Sequence, residues 1–246
     1  TIIDTFKSTS YSIYKDKLKN YEIAWIDKVD KNLCLKFIKL DENLQTVIPE
    51  IILDSKKSSY IDYEILVDDV GKINLFYSSI NNENGRNSLN NITINSDGKI
   101  ISSPEIIYEG TYIDDINACF DPQNNVYLLF SDMKEGITGL YGIKVSSDGN
   151  ISDTYKLSDI PQGKAKQPKL QFLNDRLYII WHDIREDLKR PYIYLAAFNQ
   201  DFKRIYEKRI GRTILYQMGI QADHHVDEDG IYIFRSGHIA EEYQGV

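Results

Sequence analysis

A chain of 246 residues with 42% hydrophobic and 27% charged side chains has the composition of a globular protein that can bury a sizeable core. The formal net charge of -8, with no basic run longer than a dipeptide such as Lys56-Lys57, disfavours binding to nucleic acids and to anionic membrane surfaces. No stretch approaches the roughly eighteen consecutive apolar residues of a membrane-spanning helix. We therefore expect neither a nucleic-acid partner nor a membrane span in this chain.

The dominant feature of the sequence is an internal repeat. Five short apolar runs end at a corresponding position, and these end positions are 52, 53, 51 and 54 residues apart. The runs are YEIAW at 21–25, INLFY at 73–77, VYLLF at 126–130, LYIIW at 177–181 and IYIFR at 231–235. A period of this length is typical of propellers and solenoids.

Polar turns keep the same phase as the runs. A turn rich in Asp, Asn, Gly or Lys precedes the later runs, and a second turn, such as Asp41-Glu42-Asn43 or Ser147-Asp148-Gly149, follows each complete run. Because such residues tolerate the positive φ of tight hairpins, each unit is predicted to contain four strands. The runs are apolar at nearly every position, which indicates strands covered on both faces.

We predict an all-β fold, specifically a β-propeller of about five four-stranded blades. A β-sandwich also has short strands, but it gives no reason for a repeat every 52 residues. Eleven residues follow Arg235, so the closure of the ring stays open: the last blade is incomplete, with Thr1 to Phe6 adding at most one strand, or the chain is part of a larger ring. The chain is interpreted as one domain, residues 1–246, with repeat units at approximately 10–61, 62–114, 115–166, 167–219 and 220–246.

The fourth unit carries the most characteristic residues, with Pro168, a polar turn and an apolar strand that ends in Trp181-His182-Asp183-Ile184-Arg185. The third unit has Phe130-Ser131-Asp132 at the same place, and the first has Trp25-Ile26-Asp27. These features resemble a degenerate form of the sialidase-type, or Asp-box, propeller repeat found in many secreted bacterial proteins. The resemblance implies the propeller scaffold. Sialidases bind the substrate carboxylate with three convergent arginines, and no such triad is evident here.

An acidic residue recurs directly after the second strand of the first, third and fourth units. A catalytic residue is normally unique to one blade, so this recurrence favours a structural duty, with Arg185 pairing with Asp183 or a neighbouring carboxylate. The positions interpreted as structural are Trp25, Asp27, Asp132, Trp181, Asp183 and Arg185.

First strands of propeller blades line the central channel, where ligand sites of this fold commonly lie. Converging carboxylates there can supply the acid and base of a glycosidase, hold a cation, or only solvate the channel. Asp114 and Gln167 are further polar residues near these strands. The candidate ligand-binding residues are Asp62, Glu64, Asp115, Lys166, Asp223 and His225.

Other chemistries have little support in the sequence. His224 and His225 are adjacent, and neighbours on a strand point to opposite faces, so they cannot share one ion in regular geometry. We predict no metal site and no cofactor. Cys34 and Cys119 lie in different units and are predicted to be isolated thiols. The loop from Tyr108 to Tyr112 (YEGTY) offers rings that can stack on sugars, although packing is the simpler interpretation of most tyrosines.

The function favoured by the sequence is an extracellular, non-catalytic domain that binds a carbohydrate or protein ligand. Two alternatives stay open: a glycoside hydrolase or sialidase-like enzyme that uses the channel carboxylates, and a structural module of a larger cell-envelope protein. No catalytic residue is assigned at this stage. The chain begins without Met, which fits a mature secreted segment or a part of a longer polypeptide.

Overall fold

The computed structural model describes residues 11–29, 32–55, 58–81, 84–160, 162–186, 191–212, 222–227 and 230–235. Within these ranges every regular element is a β-strand and no helix occurs, which confirms the predicted all-β class. The chain divides into two compact units, Thr1–Ala118 and Cys119–Val246. The closing strand considered for Thr1 to Phe6, and the segment after Arg235, lie outside the described residues.

Four antiparallel sheets have four strands each, and a fifth has two. The first, ordered β1-β2-β3-β4, contains β1 (Tyr11–Lys15), β2 (Tyr21–Val29), β3 (Asn32–Leu40) and β4 (Thr46–Asp54). The second, ordered β5-β6-β7-β8, contains β5 (Ser58–Val67), β6 (Ile73–Asn81), β7 (Asn87–Ile94) and β8 (Ile100–Gly110).

The third sheet, ordered β12-β11-β10-β9, contains β9 (Asp114–Phe120), β10 (Val126–Lys134), β11 (Ile137–Val145) and β12 (Tyr155–Lys156). The fourth, ordered β13-β14-β15-β16, contains β13 (Ala165–Leu173), β14 (Arg176–Asp183), β15 (Tyr192–Phe198) and β16 (Arg204–Arg212). The last pairs β17 (Ala222–Val226) with β18 (Ile231–Arg235). Consecutive strands are neighbours throughout, as the predicted strand-turn-strand units require.

One five-residue turn recurs along the described residues. In each copy the first residue donates its backbone N–H to the carbonyl of the fifth and accepts from the N–H of the fourth, and the fourth has a positive φ. In most copies an Asp or Asn side chain at the first position also accepts backbone N–H groups; Asp41 Oδ1, for example, accepts from Asn43 and Gln45 at 2.8 Å. The copies are at 16–20, 41–45, 68–72, 95–99, 121–125, 146–150 and 199–203.

The second strands form the centre of both units. Residues 73–79 of β6 and 126–132 of β10 are buried without alternation, so both faces of these strands are covered. In the first unit, Phe37 of the first sheet belongs to the same core cluster as Leu75 of the second. In the second unit, Tyr127 of the third sheet belongs to the same cluster as Trp181 of the fourth. A four-stranded sheet thus buries its apolar faces against neighbouring sheets.

The acids after the second strands make local contacts. Asp183 is fully buried; its Oδ2 accepts from Trp181 Nε1 at 3.0 Å, and its Oδ1 accepts from the backbone N–H of Arg185 at 2.8 Å. Arg185 Nε also donates to Oδ2 at 2.7 Å, so the expected ion pair between these residues is present. Asp132 is equally buried, whereas the half-buried Asp27 accepts from Lys36 Nζ at 2.9 Å.

The remaining structural expectations concern cysteines and membrane spans. Cys34 and Cys119 are both free thiols, as predicted. Burial raises the pKa of Cys119 to about 12. In the described part of the chain, no helix is long and apolar enough to cross a membrane.

Candidate active site

The candidate site lies in the first compact unit, where β5 and β9 carry acidic residues. The register between β5 and β6 shifts between Tyr60 and Tyr63, so Ile61 and Asp62 form an irregularity in β5. Such bulges re-aim side chains and are frequent beside functional sites. The backbone N–H of Asp62 donates to Ser78 Oγ at 3.2 Å, which fixes the irregularity against β6.

The carboxylate of Asp62 connects the two strands. Its Oδ1 accepts from the backbone N–H of Tyr63 at 2.9 Å. Its Oδ2 accepts from the backbone N–H of Ile116, in β9, at 2.5 Å. A carboxylate has about four lone-pair sites, so these two bonds fix the group and still leave acceptor positions on both oxygens.

The protonation of Asp62 is shifted by its surroundings. Burial is the largest cause and raises its pKa to about 6, from an ordinary value of 3.8. The backbone amide of Ile116 opposes this rise, and the negative charges of Asp114 and Asp115 add to it. A carboxyl group whose proton is retained at mildly acidic pH, close to other carboxylates, is the arrangement that acid–base catalysis uses.

Asp114 and Asp115 begin β9, and both are half-buried. Asp115 has a φ of 55°, in the left-handed region that non-glycine residues rarely adopt. Gln167 has a φ of 54° near the start of β13, where the register also shifts. The start of β9 and the start of β13 therefore share a residue with a positive φ. Of these two strands, β9 carries acidic side chains at that place, whereas β13 carries Gln167.

The structure distributes the other sequence candidates differently. Glu64 lies two residues beyond Asp62 on β5, opposite Phe76, and is half-buried. Lys166 is opposite His182 in the second unit. His225 is 59% exposed, and its Nε2 lies 3.7 Å from Asp227 Oδ2. The side chain of Asp223 lies outside the described residues.

Two partners of Asp62 were not anticipated from the sequence. Ser78 lies in the second repeat unit, residues 62–114, where the apolar strand is followed by Ser78-Ser79 and lacks the recurring Asp. This difference was the one indication in the sequence that Ser78 has a role of its own. The contribution of the Ile116 amide had no sequence indication, because any residue other than proline offers a backbone N–H. Among the described residues, no group of three or more His, Cys, Asp or Glu side chains is placed to hold a metal ion.

Comparisons with known proteins identify the fold. No family model matches the chain, and no curated protein matches it in sequence. An endo-arabinase from Bacteroides thetaiotaomicron superposes with a TM-score of 0.57 at 14% identity, over 94% of this chain and 89% of the enzyme. An α-L-arabinanase from Penicillium chrysogenum, in complex with arabinobiose, gives 0.66 at 9% identity, over 92% and 74%.

An α-L-arabinofuranosidase from Fusarium graminearum, also with arabinobiose, gives a TM-score of 0.61 at 9% identity, over 83% of this chain and 66% of the enzyme. These relatives in structure are five-bladed β-propellers. The chain therefore has the predicted β-propeller fold of four-stranded blades, about five in number. The resemblance to a propeller repeat is supported at this level, without the sialidase-type assignment.

The expectation of a non-catalytic binding domain is wrong. The similar solved structures named above are two arabinan-acting enzymes and an α-L-arabinofuranosidase, and none of the comparisons supports a non-catalytic domain. The physical reason for the error is that the sequence places Asp62 only near a first strand and shows nothing of its surroundings. The burial of Asp62 and its bond to the Ile116 amide depend on contacts between strands that are distant in the chain.

Proposed function

We propose that this chain is a glycoside hydrolase that cleaves a polysaccharide containing L-arabinofuranosyl residues, with Asp62 as the proton donor and Asp115 as the second carboxylate. The observation that carries the proposal is the position of Asp62: it lies in the irregularity of β5, and its Oδ2 accepts at 2.5 Å from the backbone of β9, the strand that begins with Asp114 and Asp115. Burial and the charges of these two acids raise the pKa of Asp62 to about 6. The substrate class is taken from the arabinan-acting enzymes that share the fold.

The chemistry requires two carboxyl groups in different protonation states. Asp62 in its protonated form gives its proton to the glycosidic oxygen, and the bond from that oxygen to the anomeric carbon breaks. The second group, in its ionised form, either takes a proton from an attacking water or attacks the anomeric carbon itself. Water supplies the hydroxyl of the product in both cases, so the sum of the steps is hydrolysis.

The proposal includes a location outside the cell. A polysaccharide is too large to cross a membrane unaided, so an enzyme that cleaves it must meet it outside. The secreted, bacterial and sialidase-like associations of the repeat are consistent with this location. They do not determine the substrate, and a sialoside is included in the test for that reason.

The test is an activity screen on the purified chain. The panel contains linear and branched arabinan, arabinoxylan, aryl α-L-arabinofuranoside, aryl β-D-xyloside and an aryl sialoside, with release of reducing ends or of the aryl alcohol as the readout. We expect turnover of at least one arabinofuranosyl substrate. No turnover on any member of the panel would refute the proposal, and turnover of the sialoside alone would refute the substrate class.

Variants then assign the residues. Asp62→Asn and Asp115→Asn should each lower kcat by about 10²-fold or more, the range of acid–base contributions. Asp97→Asn is the matched control, because Asp97 is an exposed acid in the turn between β7 and β8. Equal activity of Asp62→Asn and the wild type would show that Asp62 is not the proton donor.

A further inference from the structure

Tyr112 lies in the short connection between β8 and β9, directly before the candidate acids. It is 40% exposed, and it precedes Asp114 by two residues. Because two residues span at most about 7 Å of chain, the backbone of Tyr112 cannot be far from that of Asp114. An aromatic ring is therefore exposed at the entrance of the strand that carries the acids.

The chain around Tyr112 is fixed on the acid side. Ile113, the next residue, is fully buried. The backbone N–H of Ile116 is bound by Asp62 Oδ2 at 2.5 Å. A rotation of this loop would have to withdraw Ile113 from the core, so the position of Tyr112 is coupled to that of the site.

Exposed aromatic rings are few in the described part of the chain, and Tyr112 differs from the others because it lies next to the strand that carries Asp114 and Asp115. The exposed aromatic side chains there are Tyr11 in β1, Tyr112, Tyr206 in β16 and Tyr232 in β18. Of these, Tyr112 lies in the connection that enters β9. Tyr206 is similarly exposed, at 37%, and lies on the outer strand of the fourth sheet, so it provides a matched control.

We infer that Tyr112 is a sugar-binding platform: its ring stacks on the apolar C–H face of a sugar residue of the polysaccharide and positions the neighbouring glycosidic bond at Asp62 and Asp115. The inference rests on the proposed function and adds a positioning residue to it. A tyrosine ring offers a broad apolar face and has only two rotatable χ angles, so little conformational entropy is lost when it binds. The ligand class is an uncharged sugar unit that presents such a face.

The test separates binding from turnover. Affinity for arabino-oligosaccharides is measured by calorimetry in the Asp62→Asn background, with Tyr112→Ala, Tyr112→Phe and Tyr206→Ala added singly. Tyr112→Ala should weaken binding about tenfold, as expected for the loss of one stacked ring. Tyr112→Phe should retain the affinity within about twofold, because the apolar face of the ring is unchanged. Tyr206→Ala should have no effect.

Each further outcome has a distinct meaning. Unchanged affinity of Tyr112→Ala, in a protein whose wild type hydrolyses arabinan, overturns the platform and leaves the proposed hydrolase intact. Binding that depends on Tyr112, in a wild type with no turnover, supports the platform and overturns the hydrolase. A wild type that binds none of the saccharides overturns both. Thermal unfolding of each variant excludes loss of folding as the cause, and the Phe variant tests the ring even if the Ala variant does not fold.

Discussion

The phenol hydroxyl of Tyr77 donates a hydrogen bond of 2.7 Å to Oδ2 of Asp54, and both side chains are buried. Tyr77 ends its apolar run where Trp181 ends the corresponding run of the fourth sheet, and there the indole donates to Asp183 at 3.0 Å. The second repeat unit, residues 62–114, has Ser79 at the position that corresponds to Asp183. The acid that receives the aromatic donor therefore comes from β4, the last strand of the first sheet.

Replacement of the donor tests the value of this contact. Tyr77→Phe removes the hydroxyl and keeps the ring, so it should lower the free energy of unfolding by about 1.5 to 3 kcal/mol, as for a lost buried hydrogen bond to a carboxylate. The measurement is equilibrium urea denaturation. Tyr206→Phe, on an exposed ring, is the control and should stay within about 0.5 kcal/mol of the wild type. If Tyr77→Phe and Tyr206→Phe have the same free energy of unfolding, the hydrogen bond from Tyr77 to Asp54 makes no net contribution to stability.

The recurring turn provides a prediction in the stabilising direction. Leu44 has a φ of 61° at the fourth turn position and is 56% exposed, whereas Gly71, Gly98 and Gly149 occupy the same position in other copies. The left-handed conformation costs an ordinary residue about 1 to 2 kcal/mol, and glycine loses about 0.5 to 1 kcal/mol of backbone entropy. Leu44→Gly should therefore raise the free energy of unfolding by about 0.5 kcal/mol.

The control for this variant lies in β4. Ile52 is 47% exposed and is paired with Lys36 of β3, next to the pair of Ile51 and Phe37. Ile52→Gly should lower the free energy of unfolding by about 1 kcal/mol in the same denaturation assay, because glycine weakens a strand interior. A loss of stability in Leu44→Gly as large as that in Ile52→Gly would contradict the interpretation of the turn.

A buried ionic cluster in the first sheet predicts a pH dependence of stability. Glu22 is fully buried, its Oε1 lies 2.8 Å from Lys39 Nζ, and that ammonium also donates to Asp16 Oδ2 at 3.1 Å. Burial raises the pKa of Glu22 from 4.5 to about 7. Because the folded-state pKa lies above the unfolded value, the folded state binds the proton more tightly, and stability from this group falls as the pH rises from about 4.5 through 7.

Glu22→Gln should remove this dependence. Between pH 5 and pH 8 the wild type should lose free energy of unfolding, relative to Glu22→Gln, on the order of 2 kcal/mol. Urea denaturation at several pH values measures the difference. Glu42→Gln changes the same charge on a side chain that is 57% exposed and should run parallel to the wild type. Parallel curves for Glu22→Gln and the wild type would refute the linkage.

The sequence predicted the repeating features of the blades but not the contacts of Asp62, which occur in one blade. The spacing of Tyr77, Phe130 and Trp181 was sufficient for the blade, because a regular period and continuous apolar runs follow directly from stacked sheets. The contact between Asp183 and Arg185 was predictable because the residues are two positions apart. Asp62 was a candidate only through its place near a first strand.

The rest depends on contacts between distant parts of the chain. The bond from the Ile116 amide to Asp62 joins residues 54 positions apart, and Asp62 lies in an irregularity of β5 that no glycine or proline in that strand indicates. The same contact and burial set the pKa of Asp62. The surroundings of Asp62, on which the proposed hydrolase activity depends, were therefore not recoverable from the repeat, and the sequence favoured a non-catalytic domain.

The raised pKa of Asp62 leads to a prediction on the pH dependence of hydrolysis. A proton donor is active in its protonated form, so kcat should fall as the pH rises above about 6.

Burial is the main cause of the raised pKa of Asp62, and the charge of Asp114 contributes to it. Asp114→Asn removes that charge, so the alkaline limb of the profile should move to lower pH. Asp97→Asn, which removes an exposed turn acid, should leave the limb in place. A limb that stays fixed in Asp114→Asn, or that moves to higher pH, would show that the titrating group is not the Asp62 carboxyl.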